Sequence, residues 1–597
     1  MVRLGWVSGG LGLAFVSGLS MTAIAQVNQP LSVVYPPDGH ETTANQIFLI
    51  GTAPAGGVVT VNGQTIERST AGHFAPSFPL QLGDNTFTLR YQDQELTLHV
   101  TRQSADPPTP VGVAFGAGSL TPAVNIARLP GEVVCFGAIA PANATVSTRV
   151  GNQTIPLLPQ PTATDLPPNS AVLTAQNQPT AIASVTNYQG CTTFTQTGVL
   201  GQPDFNLTLN GQTIHQTGTG AVEILPPVPA QVIEVTSDSG TARTGPSTDY
   251  SRLTPLPKGT RAAVTGREGD WLRLDYGGWM RASETQTIPN LAPPRTLIRS
   301  IRATEQDGWT DITFPLQVPV PVSVIQGDRT FTLTLYNTTA QTDTILLNDD
   351  RLIERLDWQQ IAPGQVQYTF NLKSQQQWGY KLRYEGTSLV LSLRHPPQVQ
   401  NPQRPLTGIR ILLDPGHGGP EDFGARGPTG VPEKDVTLTV SRLLRDELVA
   451  RGATVYMTRE GDADLYPQDR VDMINQIEPT LALSLHYNAL PDSGDAIHTA
   501  GVGSFWYNAQ AHSLAVALHH DLVQQLDRPS YGVFWNNLAL TRPTVAPCVL
   551  LELGFMINPV EFEWVTNSED QRKLATALAD SLTNWVKAQT SSGDRHI

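Results

Sequence analysis

Four side chains in the last third of this 597-residue chain are of the types that hold a catalytic metal and move a proton. His417 follows the apolar run "ILLDPG", Glu433 heads a helical pattern in "EKD", His486 closes "LALSLH", and Glu552 lies within "VLLELGF". Two imidazoles and one carboxylate form a catalytic zinc set that leaves one coordination position for water. A second carboxylate, not spent on the metal, can take the proton as that water attacks a carbonyl. Glycines at 416, 418 and 419 would let the backbone turn and a bulky substrate approach the metal. The spacing is not that of the H-E-x-x-H helix, and three dispersed residues of these types arise by chance in many chains. On spacing alone, a metal set and unrelated capping or surface side chains both remain open.

The elements around these residues decide whether they can meet. In "KDVTLTVSRLLRDELVARG", Val436, Val440, Leu444 and Leu448 recur at helical spacing and Gly452 supplies the stop. "ATVYMTR", "TLALSLHYNA" and "PCVLLELGF" read as strands, and "QDRVDMINQIEP" and "SLAVALHHDLVQQL" as helices. A last helix starts at Ser568, with Leu574, Leu578, Leu582 and Trp585 on one face. Alternating strands and helices predict one α/β domain over 407–592, and ligands of such sheets gather at the carboxyl ends of the strands. His417, His486 and Glu552 belong there.

Five ordered stretches carry a resemblance. "ILLDPGHGGPEDFGARGPTGVPEKDVTLTVSRLLRDEL", "VYMTREGDADLYPQDRVDMIN", "LALSLHYNA", "GVGSFWYN" and "APCVLLELGFMINPVEFEWV" resemble the zinc-dependent N-acetylmuramoyl-L-alanine amidases of the bacterial envelope, the Amidase_3 family. The resemblance implies Zn2+ on His417, Glu433 and His486, with Glu552 as the catalytic glutamate. It also implies a substrate, peptidoglycan, and a bond, the amide between N-acetylmuramic acid and L-alanine of the stem peptide. Pro415 and Tyr487 stand where alanine is usual in the family, and neither removes a ligand. Some relatives insert an autoinhibitory helix before the strand at 548; the roughly twenty residues available here leave no room for it. Two further residues have two readings each: Asn488 meets substrate or holds its loop, and Arg542 pairs with a stem-peptide carboxylate or with a surface acid. Asp414 either orients His417 or satisfies loop amides. His498 is within reach of the site or solvated, and His512, His519 and His520 are expected in solvent.

The rest of the chain reads as all-β modules. Residues 31–102 alternate in short strands, with Asn62-Gly63 between β-branched runs as a hairpin signal, and resemble bacterial immunoglobulin-like modules. "ADPPTP" at 105–110 is a stiff linker. Residues 111–228 are β-rich and of no assignable type. "ARTGPSTDYSRLTPLPKGT…GDWLRL…GWM", within 230–288, is similar to bacterial SH3-like barrels, many of which bind cell-wall peptide. Period-two alternation over 296–396, from "LIRSIRATEQDGWTDITFPL" to "SLVLSLRHPP", resembles the AMIN modules that localise envelope amidases. The fold class expected is therefore multidomain, with several all-β N-terminal modules before a C-terminal α/β domain.

Composition narrows the setting. Hydrophobic content of 40% with 15% charged residues suits folded modules rather than a disordered chain. Lys and Arg number 38 against 52 Asp and Glu, and no basic stripe carries interleaved aromatics, which excludes nucleic acid as a partner. Residues 1–25 have the positive start, short apolar run and A-x-A end of a secretory leader, so the expectation is an exported protein of the periplasm or cell envelope without a stable membrane span after cleavage. Cys135 and Cys191 share one module, where an oxidising compartment permits a bridge. Cys548 opens an apolar run as a buried, inert thiol. Rival readings keep the zinc but cut within the stem peptide, or make the chain a non-catalytic peptidoglycan-binding scaffold or amidase activator. The N-terminal modules leave room for envelope or division proteins as further partners.

Overall fold

A computed structural model describes residues 30–591 apart from 106–109, 161, 175–176, 184–185, 230, 290, 400 and 402. The leader expected over 1–25 and part of the proline linker lie outside the described residues.

The catalytic-type domain is built on six strands: β1 (Arg410–Pro415), β2 (Thr454–Met457), β3 (Leu481–Asn488), β4 (Val502–Trp506), β5 (Ser530–Trp535) and β6 (Cys548–Phe555). Their order across the sheet is β2-β1-β3-β6-β4-β5. The first four positions run parallel, β4 is antiparallel to β6, and β5 follows β4 in parallel. Strands β1, β3 and β6 are apolar almost throughout because helices cover both faces of the sheet. Ile411, Leu413, Leu483, Leu485, Val549 and Leu551 pack with α1 (Glu433–Ala450), α3 (His512–Gln525) and α5 (Ser568–Ser591). Leu412, Ala482 and Leu550, one residue out of phase, face α2 (Pro467–Ile477) and the turn at 539–541. Val436, Val440, Leu444 and Leu448 of α1 are buried as their spacing predicts, as are Leu574, Leu578, Leu582 and Trp585 of α5. Strands β4 and β5 and the short helix α4 (Pro559–Thr566) were not predicted. Strand β5 occupies much of the interval before β6, where some relatives place an insertion.

The first module, from residue 31, packs short antiparallel strands around Ile47, Val59, Phe74, Phe87 and Leu98. Asn62 and Gly63 both take positive φ between Val59–Val61 and Gln64–Thr65, as a two-residue hairpin turn requires. Cys135 and Cys191 form a disulfide between facing positions of paired strands. A boundary near 228 was expected between the second module and the SH3-like barrel, but one sheet crosses it, with Ile126 opposite Glu268. The segment from Thr296 to Arg394 forms two sheets over a shared core containing Ile312, Leu333, Phe370 and Leu391. This segment is anchored to the α/β domain. Trp378, 1% exposed, joins that domain's core beside Trp585, and Arg394 donates to the carbonyls of Glu478 and Val545 at 2.9 Å.

Candidate metal centre and its cleft

The structure brings His417, Glu433 and His486 together at the carboxyl end of the sheet: one donor atom from each lies within 4.8 Å of the others. Strand β1 delivers the His417 loop, β3 delivers His486, and Glu433 is the first residue of α1. The His417 ring faces Glu433 Oε2 at 3.2 Å and that of His486 faces Oε1 at 3.1 Å. Each carboxylate oxygen also accepts a backbone N–H at 2.9 Å, from Ala425 and Tyr487. Burial alone would push the Glu433 carboxyl up, but the bonds and charges of the two imidazoles hold it down to about 2. Burial also works against a charge on His417, yet bonds to Glu433 and Asp422 raise that ring to about 8.

Glu552 stands beside His486 in the register of β3 and β6. Its Oε2 is buried and has no hydrogen-bond partner among the described residues. Burial first, and the charge of Glu433 second, raise its pKa well above the carboxylate range. A buried polar atom without a partner costs stability unless something else engages it. The donor set therefore fits zinc: two imidazoles and a carboxylate converge, and a spare carboxylate lies alongside.

Sequence reasoning missed Asp422, whose Oδ1 lies 2.6 Å from His417 Nδ1 and fixes the other ring nitrogen toward the cluster. Asp414, read as orienting that ring or satisfying loop amides, bonds to Arg470, Thr458 and Ser484. Gly418 and Gly419 take positive φ, so the backbone turns there as expected. A Cβ at Gly416 would come within 2.4 to 2.7 Å of the His486 ring, and one at Gly418 within 2.3 Å of the Ala463 carbonyl. Gly416 and Gly418 thus leave room for neighbouring protein groups.

The remaining candidates lie elsewhere. Asn488 Oδ1 accepts the Ala489 N–H at 2.9 Å. Arg542 precedes β6, is not among the three clustered donors, and donates to Asn537. His498 is exposed and bonds to Asp495 at 2.8 Å. Cys548 is buried, which pushes its thiol up to about 12.

A cavity of about 470 Å³ adjoins the cluster. Phe423, Gly424 and Leu490 line one side, and Tyr35, Phe48 and Ile50 of the first module line the other. That module is fixed there by several contacts. Tyr35 and His40 bond to Asp492, Thr70 donates to Glu563 at 2.8 Å, and Phe48 and Ile50 pack with Phe555 and Ile557.

Residues 411–584 match the family described as N-acetylmuramoyl-L-alanine amidase. The germination-specific N-acetylmuramoyl-L-alanine amidase of Bacillus subtilis is 34% identical over 212 residues, which are 32% of this chain and 84% of that protein. The chain belongs to the N-acetylmuramoyl-L-alanine amidase family. A probable cell wall amidase, LytH of Staphylococcus aureus, is 33% identical over 31% of this chain and 61% of its own length. Residues 238–286 match the bacterial SH3 domain. Among solved structures, an N-acetylmuramoyl-L-alanine amidase from Clostridium difficile 630 aligns at 24% identity over 30% of this chain and 98% of its own, with a TM-score of 0.29. The amidase AmiC2 of Nostoc punctiforme aligns at 26% identity over 30% and 97%, with a TM-score of 0.28. No helix among the described residues of this amidase-family chain is long and apolar enough to cross a membrane.

Proposed function

We propose that the chain hydrolyses the amide between the lactyl group of N-acetylmuramic acid and L-alanine in peptidoglycan, with zinc held by His417, Glu433 and His486. The observation that carries this reading is the convergence of three donor atoms within 4.8 Å next to the buried, unpartnered carboxylate of Glu552. When bound, zinc supplies Lewis-acid polarisation of a carbonyl and activation of water. Glu433, ionised at any physiological pH, supplies the anionic donor, and Asp422 holds the His417 ring in position. Glu552 takes the proton from the attacking water and returns it to the alanine nitrogen as the amide breaks. Its raised pKa makes the ionised carboxylate a stronger base toward the water proton than an exposed glutamate.

The cavity between the first module and the 421–426 loop is the natural path for the stem peptide, with Tyr35 and Phe423 as flat apolar surfaces for sugar or peptide. The leader-like start and the disulfide fit an exported, envelope-located enzyme. The SH3-like and AMIN-like segments then serve to place it on the wall, where envelope or division proteins are the partners to look for. This address function follows from family likeness.

The test is mass spectrometry of peptidoglycan incubated with the whole chain, with a chelator, and with zinc restored. The whole chain is needed because Trp378 lies in the core of the α/β domain. Intact stem peptides with free L-alanine amino ends are expected, in a zinc-dependent manner. Fragments cut within the stem would make the enzyme a peptidase, and no release would leave a wall-binding scaffold. Glu552→Gln should keep its metal and lose at least 100-fold in rate, in line with the usual contribution of a general base; near-normal turnover would remove Glu552 from this role.

A further inference from the structure

Beside the carboxyl ends of β4 and β5, a second cavity of about 400 Å³ opens between the SH3-like barrel and the amidase domain. Arg243, Tyr250 and Arg252 line it from the barrel, Trp535 from the end of β5, and Arg542 from the loop between β5 and β6. Leu173, from the second module, closes a third side.

The three guanidinium groups bond only to neutral acceptors among the described residues. Arg243 donates to the carbonyls of Thr248 and Tyr250 at 2.7 and 2.6 Å, and Arg252 to the Thr241 hydroxyl at 3.3 Å. Arg542 donates to the side-chain and backbone oxygens of Asn537 at 2.7 and 2.9 Å. The Nε atoms of Arg243 and Arg252 are buried without a partner, and Arg243 as a whole is 8% exposed. Burial, followed by the charges of Arg252 and Arg243, brings Arg542 down to about 10, so the cations repel one another. Asp249 and Glu284 are the acids acting on Arg243, against Arg252 and Arg281. Such a concentration of positive charge stands out on a chain of net charge −14. Packing alone does not call for it, because each cation would be cheaper to bury beside a carboxylate. At the rim, Trp535 and Tyr250 are 58% and 49% exposed and offer aromatic faces next to the cations.

We infer that this inter-module cavity binds a free carboxylate of a peptidoglycan stem peptide, as a second hold on the polymer away from the catalytic cleft. The inference rests on the proposed substrate for its choice of polymer. Guanidinium groups match a carboxylate bidentately, and the aromatic rim suits the peptide on either side of it. Asp249 in the wall disfavours a dianion such as phosphate more than a single carboxylate, and it can pair with an amine on the same peptide. Because the cavity needs residues from both the barrel and the amidase domain, neither part alone would form it. It also gives Arg542 a stem-peptide carboxylate to meet, at a different place from the cleft.

The test uses the whole chain and a stem tetrapeptide with free carboxylates, its fully amidated form, and inorganic phosphate, with affinity measured by calorimetry. The peptide lacks the muramyl amide, so its binding is read independently of hydrolysis, and failure here leaves the amidase reading untouched. Amidation should weaken binding at least 10-fold, Arg252→Gln should do the same, and Arg252→Lys should retain part of the affinity. Trp535→Ala, at an exposed position, is a second variant that spares the buried interface and should also weaken binding. Undiminished binding by folded Arg252→Gln and Trp535→Ala would place the peptide elsewhere and overturn the inference. Phosphate binding as tightly as the peptide would reduce the cavity to a general anion site and overturn the peptide assignment.

Discussion

Arg470 of α2 donates to Asp414, at the end of β1, across 2.7 Å with both side chains buried. The same guanidinium holds the carbonyls of Pro415 and His417 at 2.8 and 2.7 Å. Thr458 and Ser484 complete the carboxylate at 2.6 Å each. This pair fixes the loop on which His417 adopts a left-handed φ of 60°, uncommon for a residue with a Cβ. Arg470→Met should therefore leave a buried carboxylate unpaired and lower stability by about 3–5 kcal/mol. Zinc affinity should fall about 10- to 100-fold as the loop loosens. Urea unfolding and a zinc titration of the same variant measure the two effects; wild-type values in both would deny the pair this positioning role.

Gly416 makes a sharper steric test. Its φ is not positive, so the objection to a side chain is contact with the His486 ring, 2.4 Å from a would-be Cβ. Gly416→Ala should displace that ring and cut zinc affinity more than 10-fold. Gly461→Ala serves as the control, since a Cβ there meets nothing within 4 Å. Zinc content after dialysis distinguishes them, and equal retention by both variants would contradict the packing account.

Much of the candidate metal centre was legible because each of its three donors sits at one end of a strongly patterned element. "ILLDPG" and "LALSLH" are apolar runs that stop at the histidine, and the helix period beginning at Glu433 fixes where α1 starts. Asp422 was not legible, because it lies in a loop without periodicity and reaches His417 through a turn. For Arg542 the family likeness left two partners open, a stem-peptide carboxylate or a surface acid. Its surroundings come from segments far apart in the chain: the carboxyl ends of β4 and β5 lie beside the amino end of β6, and Trp535 and Arg542 face the SH3-like barrel. The sheet joining Ile126 to Glu268 escaped notice for a simpler reason, since pairing between segments so far apart leaves no local periodic signal.

The docking of the first module on the metal-centre side offers a pH test. Asp492 receives hydrogen bonds from Tyr35 and His40, the latter at 3.0 Å, and Tyr35 lines the cavity beside the cluster. Burial opposes charge on Asp492, but hydrogen bonds from Thr42, Tyr35 and His40 together lower its pKa below the usual value. A free aspartate titrates near pH ~3.9. Because the docked value is lower, the undocked or unfolded chain binds more protons around that pH. The contribution of Asp492 to docking is thus fully present above about pH 4 and is lost as the pH falls through the docked value. Hydrogen exchange of the strand Gln46–Phe48, followed from pH 6 downward, should show protection falling below about pH 4 in the parent chain. In Asp492→Asn, which cannot ionise, protection should be weaker at pH 6 and flat across that interval. If the variant keeps the parent's full acid-dependent loss, other carboxylates govern the docking and Asp492 does not.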